Sequence, residues 1–149
     1  MAKKLVVIGN GMAGARTVEE ILDRGGADLF DVTMFGAEPY GNYNRILLSN
    51  VLCGIEDESG IFLNDMDWYA ANRIDLHTGV RITRIDRFAR TVVDELGRTT
   101  PYDKLIIATG SDAFVPKIAQ PAPARPGLPP GRLHLPHDRR HPRHDPVRP

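Results

Sequence analysis

The stretch that decides the fold is KLVVIGNGMAG, residues 4–14. It places a short apolar run directly before a G-x-G-x-x-G sequence formed by Gly9, Gly11 and Gly14. The apolar run is typical of a doubly buried parallel strand, and the residues after the glycines have the apolar spacing of a helix. This order predicts a dinucleotide-binding unit. Gly9 permits the tight turn, Gly11 lets a pyrophosphate approach the backbone, and Gly14 lets the helix pack closely.

The sequence around this stretch predicts one α/β domain over residues 1–118. A helix is predicted from about Met12 to Arg24, and its first residues, Met12 and Ala13, would present free N–H groups and a positive dipole to phosphates. The later predicted elements are a strand over 31–35, a turn-rich loop over 36–45, short helices over 45–52 and 64–72, strands over 74–79, 80–86 and 90–95, and a strand over 104–110. We therefore predict a Rossmann-like β-α-β unit with a small β-meander.

An acidic residue is expected at the end of the second strand, where it would bind the adenosine ribose. The position after Phe35 is instead Gly36, and the first carboxylate is Glu38. Glu38 could fold back to bind the ribose, or it could be a solvated loop carboxylate.

The late segment YDKLIIATG, residues 102–110, distinguishes FAD from NAD. A β-meander followed by this segment would be out of place in an NAD-only dehydrogenase. The segment resembles the second FAD signature of flavoproteins with two dinucleotide-binding domains. Small residues suit a turn where backbone approaches a ligand, which makes Ala108, Thr109 and Gly110 candidate FAD residues.

Three segments carry a narrower resemblance: VVIGNGMAGARTVEEIL, VTMFGAEPYGNYNRILLS and YDKLIIATGS, at residues 6–22, 32–49 and 102–111. They resemble the large subunit of bacterial NAD(P)H-dependent nitrite reductase and, more broadly, the pyridine nucleotide–disulfide oxidoreductases, which include rubredoxin and ferredoxin reductases. The resemblance covers residue 3 to about 116, and it implies that this chain holds only the first segment of an FAD-binding domain, an incomplete domain. It implies that FAD takes hydride from NAD(P)H and passes electrons onward, in nitrate assimilation toward an iron–sulfur cluster and sirohaem. It also implies a small subunit or electron-transfer partner.

The resemblance also assigns roles to individual residues. Gly9, Gly11 and Gly14 would hold the pyrophosphate and Glu38 the ribose. By the same resemblance Arg45 lies near FAD, Ile82 offers its backbone to the adenine, and Thr109 and Gly110 line the crossing of FAD. Arg45 could instead be a surface arginine. No catalytic residue or metal ligand is expected. The redox cysteine pair of dithiol members is absent. The single cysteine, Cys53, lies in the apolar helical segment NVLCG, so we expect it to be a buried packing residue.

Composition restricts the class of partner. The chain has 149 residues and a formal net charge of zero, so nothing in its charge points to nucleic acid or to an anionic membrane. No apolar run approaches the roughly 20 residues of a membrane span. We expect a cytoplasmic protein that binds neither nucleic acid nor membrane.

From Ala119 onward the composition changes. Residues 119–149 hold nine of the twelve prolines, four of the five histidines and no aromatic residue. Such a segment cannot bury enough apolar surface to fold, so we expect a disordered tail. His137, His141 and His144 have the spacing of a metal-binding helix face, but the neighbouring prolines forbid that helix, which favours a solvated basic tail.

The tail also has the character of an out-of-frame translation. Residues 132–145 can be encoded so that reading one base later gives VFIFRTIDDTRAM, which resembles the strand and loop expected next in the family. We therefore predict a one-base frameshift between about Lys117 and Gly131. Three functions stay open: the FAD part of a nitrite reductase, a rubredoxin or ferredoxin reductase, or a truncated, non-catalytic nucleotide-binding fragment.

Overall fold

The computed structural model describes residues 2–111. The strands are β1 (Lys3–Ile8), β2 (Phe30–Gly36), β3 (Asp75–Thr78), β4 (Ile82–Asp86), β5 (Thr91–Asp94), β6 (Thr99–Pro101) and β7 (Lys104–Ile107). The helices are α1 (Met12–Asp23), α2 (Leu48–Leu52) and α3 (Met66–Ala71). Single 3₁₀ turns cover Gly26–Asp28, Arg45–Leu47 and Glu58–Ile61.

Two sheets organise these elements. A four-stranded parallel sheet has the order β3-β2-β1-β7, and a three-stranded antiparallel sheet has the order β4-β5-β6. In the parallel sheet Val6 of β1 pairs with Thr33 on one side and with Leu105 on the other. The predicted Rossmann-like unit with a β-meander is confirmed. In such sheets ligands bind beyond the carboxyl ends of the strands.

β1 is buried on both faces, as its continuous apolar sequence predicts. Leu5 and Val7 point into one core cluster, which also contains Val18 of α1 and Tyr69 of α3. The alternate residues of β1 point into a second cluster, which includes Val92 of the β-meander. Helices α1 and α3 on one side and the meander on the other therefore cover opposite faces of the parallel sheet.

Helix α1 begins and ends where the glycines indicate. Gly11 is its N-cap, and the helix ends at Asp23. Gly25 follows in the left-handed region, with φ of 82°, and its N–H donates to the carbonyl oxygen of Leu22 over 2.9 Å. This bond satisfies one of the carbonyl groups that a helix end leaves without a partner.

The structure corrects one expectation. Cys53 is exposed rather than buried, because α2 is only five residues long and its Leu52 is itself 77% exposed. The sequence did not predict β6, a short strand at the edge of the antiparallel sheet, where Pro101 is tolerated. The predicted tail, residues 119–149, lies outside the described residues.

Within residues 2–111, no helix combines the length and the apolar character that crossing a bilayer requires.

Candidate functional site

The glycine turn after β1 lies against the turn after β7. A Cβ atom built on Gly9 would lie 2.1 Å from the carbonyl oxygen of Ala108 and 3.1 Å from the backbone nitrogen of Thr109. The N–H of Ala108 also donates to the carbonyl oxygen of Ile8 over 2.8 Å. The G-x-G-x-x-G turn and the A-T-G turn are thus in backbone contact at the carboxyl edge of the parallel sheet.

The glycines of the turn do different work. A Cβ on Gly14 would lie 2.0 Å from the carbonyl oxygen of Gly9, and Gly9 itself has φ of +112°. The chain's own packing therefore requires glycine at both positions. A Cβ on Gly11 would meet nothing within 4 Å, and its φ of −84° suits any residue. Gly11 borders open space directly at the N-terminus of α1.

The electrostatics of this open space favour an anion. The first-turn N–H groups of α1, at Met12 and Ala13, have no acceptor within the helix. The Gly11 N-cap supplies no side-chain hydrogen bond, and the first turn carries no acidic residue. The helix dipole adds positive potential at this end. An anionic group placed here would receive several backbone hydrogen bonds.

Gly36, at the end of β2, gives room to the glycine turn. It is buried, and a Cβ built on it would lie 3.1 Å from the Cβ of Asn10. A carboxylate side chain at this position would displace Asn10. Glycine is therefore the residue that fits here without any shift of Asn10.

Glu38 lies just beyond Gly36 and is held at both its backbone and its side chain. Its carbonyl oxygen accepts from the N–H of Gly79 over 2.8 Å. Its Oε1 accepts from Nη2 of Arg45 over 3.0 Å and from the hydroxyl of Tyr43 over 3.3 Å. Glu38 and Arg45, which the sequence suggested for separate roles, are therefore an ion pair, and the carboxylate is not simply solvated.

Tyr43 is a site residue that sequence reasoning missed. Its side chain is buried, and the guanidinium carbon of Arg45 lies 5.4 Å from its ring centroid. Burial, followed by the negative charge of Glu38, raises the pKa of Tyr43 to about 12. The hydroxyl therefore keeps its proton at neutral pH and donates a hydrogen bond to Glu38.

Ile82 lies on the β-meander. It is the first residue of β4, pairs with Asp94 and packs against the second core cluster. Two residues earlier, the N–H of Val80 donates to the carbonyl oxygen of Gly36 over 2.9 Å, which ties the start of the meander to the end of β2. Ile82 thus lies close in sequence to the carboxyl edge of the sheet, without being part of the glycine turn.

Sequence reasoning also missed Asn10, within the glycine turn, and two residues behind the turn, Asn42 and Tyr69. Their polar groups form one network at the protein interior. Only tertiary packing brings them together, and no local sequence signal marks them.

Three similarities place this fold among known proteins. "Nitrite reductase [NAD(P)H]" of Bacillus subtilis (strain 168) is 52% identical over 113 residues, which is 76% of this chain and 14% of that protein. The ferredoxin–NAD(+) reductase component of the anthranilate 1,2-dioxygenase system of Burkholderia cepacia is 40% identical, over 74% of this chain and 27% of that protein. The crystal structure of NADH:rubredoxin oxidoreductase from Clostridium acetobutylicum has a TM-score of 0.69 and 30% identity, and the match covers 80% of this chain and 30% of that one.

This chain spans about a seventh of the length of the Bacillus nitrite reductase. A family model described as pyridine nucleotide-disulphide oxidoreductase matches residues 3–132. With the glycine turn and the late A-T-G turn in contact at the edge of a parallel sheet, the chain belongs to the pyridine nucleotide-disulphide oxidoreductase family.

Proposed function

We propose that this chain is the FAD-binding segment of an NAD(P)H-dependent flavoprotein oxidoreductase of the nitrite reductase type. The observation that carries the proposal is the backbone contact between Gly9 and Ala108. It brings a phosphate-binding turn and a second small-residue turn to one edge of the sheet. FAD, when bound, supplies the hydride and electron chemistry, and the protein supplies binding and orientation.

The residues present fit the ADP half of FAD. The open space at Gly11 admits a pyrophosphate against the backbone, and the N–H groups of Met12, Ala13 and Gly14 would donate to it. Gly110 has φ of 74°, a conformation that turns the chain sharply after β7. The backbone of Ala108 to Gly110 would then line the path of the cofactor past the glycine turn.

Glu38 is the candidate for the ribose. Arg45 and Tyr43 both donate to its Oε1, so among residues 2–111 its Oε2 keeps its lone pairs for a ribose hydroxyl. Arg45 would then act through Glu38 by fixing the carboxylate. Ile82 is proposed to offer its backbone to the adenine, since β4 begins two residues after Val80, which is bonded to the end of β2.

Two electron-acceptor classes compete. The higher identity to nitrite reductase, 52% against 40% for the ferredoxin reductase component, favours the first. In that class NAD(P)H is the donor, and sirohaem, an iron–sulfur cluster and a partner subunit belong to the whole enzyme. Nucleotide sequence of the surrounding gene would discriminate, because cysteine codons for sirohaem and cluster ligands are expected only for the nitrite reductase class.

The cofactor proposal is tested by competition. The purified full chain is titrated with FAD by calorimetry and then challenged with ADP or with riboflavin. Because the glycine turn and Glu38 are proposed to bind the ADP half, ADP should displace FAD and riboflavin should not. A chain that binds riboflavin as well as FAD, or that binds neither FAD nor ADP, would contradict the proposal.

A further inference from the structure

A buried polar network lies directly behind the glycine turn. Tyr69 of α3 and Asn42 are each 2% exposed. The hydroxyl oxygen of Tyr69 lies 3.0 Å from Oδ1 of Asn10 and 2.9 Å from Oδ1 of Asn42, and it accepts from the backbone N–H of Asn42 over 3.3 Å. Asn10 stands between Gly9 and Gly11, so the network reaches the phosphate-binding turn itself.

The proton inventory orients this network. A tyrosine hydroxyl carries one proton and cannot donate to two amide oxygens. Nδ2 of Asn10 is buried and has no hydrogen-bond partner among the described residues. Turning the Asn10 amide by half a rotation resolves the first conflict, because its NH₂ group then donates to Tyr69, and Tyr69 donates to Asn42. The buried atom left without a partner becomes a carbonyl oxygen instead of an N–H donor.

The anchor of the network is rigid. The ring of Tyr69 belongs to the core cluster that contains Leu5 and Val18, and it contacts Trp68 edge to face at a centroid distance of 5.1 Å. The carbonyl oxygen of Asn42 accepts from the N–H of Leu63 over 3.1 Å. Burial raises the pKa of the Tyr69 hydroxyl, so it keeps its proton at neutral pH.

We propose that Tyr69 is a positioning residue for the cofactor: through Asn10 it fixes the backbone of the glycine turn in the conformation that binds a pyrophosphate. The inference rests on the proposed function of that turn. The Tyr69 hydroxyl would touch no ligand atom. It sets the direction of the Asn10 side chain, and with it the peptide groups that lead into Gly11 and α1.

The test compares ligands with and without phosphate. The full-length Tyr69→Phe variant is titrated with ADP and with adenosine by ligand-observed NMR, and its unfolding is followed by circular dichroism. Losing one hydrogen bond of the turn should weaken ADP binding by about fivefold to tenfold. Adenosine lacks the pyrophosphate, so its affinity should stay unchanged. A general loss of structure would weaken both ligands alike.

The matched control is Tyr102→Phe, which removes a hydroxyl from a tyrosine packed against the other core cluster. Its ADP affinity should equal that of the unmodified chain. Asn10→Ala should reproduce the ADP loss of Tyr69→Phe, and the double variant should lose no more than either single one, because both changes break the same link. If Tyr69→Phe fails to fold, Asn10→Ala gives the same comparison of ADP with adenosine.

The outcomes separate the two proposals. An unmodified chain that binds neither FAD nor ADP contradicts the cofactor function itself. An unmodified chain that binds ADP, with variants that bind it equally well, overturns the positioning role alone. Equal losses of ADP and adenosine affinity in the variants would also overturn it.

Discussion

Gly11 and Gly14 lie three residues apart, yet substitutions at them should have different effects. Gly11→Val should mainly reduce ligand affinity, and Gly14→Ala should mainly reduce the stability of the fold. At Gly11 the added side chain meets open space and the backbone is already extended, so Gly11→Val should fold. Valine is a poorer N-cap than glycine, which costs about 1 kcal/mol. For a domain of this size that is a shift in melting temperature on the order of 4 °C.

The same valine occupies the space proposed for phosphate oxygens. ADP and FAD affinity should fall by at least about tenfold, equivalent to roughly 1.4 kcal/mol. In Gly14→Ala, by contrast, the new Cβ lies 2.0 Å from the carbonyl oxygen of Gly9. Because backbone must move to accept it, the cost should reach about 1–3 kcal/mol or more, a large part of the stability of a small domain.

Calorimetric titration with ADP and thermal unfolding by circular dichroism separate the two effects. Gly11→Val should melt only a few degrees below the unmodified chain but lose ADP affinity, whereas Gly14→Ala should have a clearly lower melting temperature than either. The reasoning would be refuted by a Gly11→Val protein with unchanged ADP affinity, or by a Gly14→Ala protein as stable as the original.

Three further outcomes are expected. Glu38→Gln should weaken adenosine binding by about fivefold, since a charged hydrogen bond to the ribose is lost. The free energy of unfolding should change by under about 1 kcal/mol, because the Arg45 partner is half exposed. Unchanged adenosine affinity would remove Glu38 from the ribose site. The pKa of Tyr43 is raised from 10 to about 12, so its contribution to stability is complete below pH 10 and is lost as pH rises toward 12. Denaturant unfolding between pH 9 and 12 should therefore show a smaller decline in Tyr43→Phe, and an identical decline would contradict this. Nucleotide sequencing past the codon of Gly131 should show VFIFRT-like codons in the frame one base later, and an early stop there would end the frameshift hypothesis.

The sequence predicted those elements of the fold that depend on residues close together in the chain. The apolar run of β1, the glycine turn and the amphipathic helix α1 are set by residues adjacent in sequence, and their bounds agree with the structure to within a few residues. The contact of the glycine turn with Ala108 was predictable because both motifs follow parallel strands, whose carboxyl ends share one edge of the sheet.

The rest depends on packing that no short window contains. Tyr69 and Asn10 are separated by 59 positions, and only the docking of α3 brings their polar atoms together. We interpreted Cys53 as buried because an apolar helical pattern usually faces a packing partner, and this interpretation was wrong. Among residues 2–111 that face of α2 stays largely open, with Leu52 77% exposed. A pattern predicts an element better than it predicts the element's neighbour.

The pairing of β7 with β1 has a consequence for the newly made chain. The glycine turn is synthesised early, but its backbone neighbour Ala108 is among the last residues of the described domain. Because domains generally fold as units during synthesis, the chain cannot close this edge of the sheet until β7 has been added. Such a non-local pairing is slow to form. Binding of the proposed cofactor should therefore wait until β7 has been synthesised, and FAD uptake by stalled chains of increasing length would report when β7 docks.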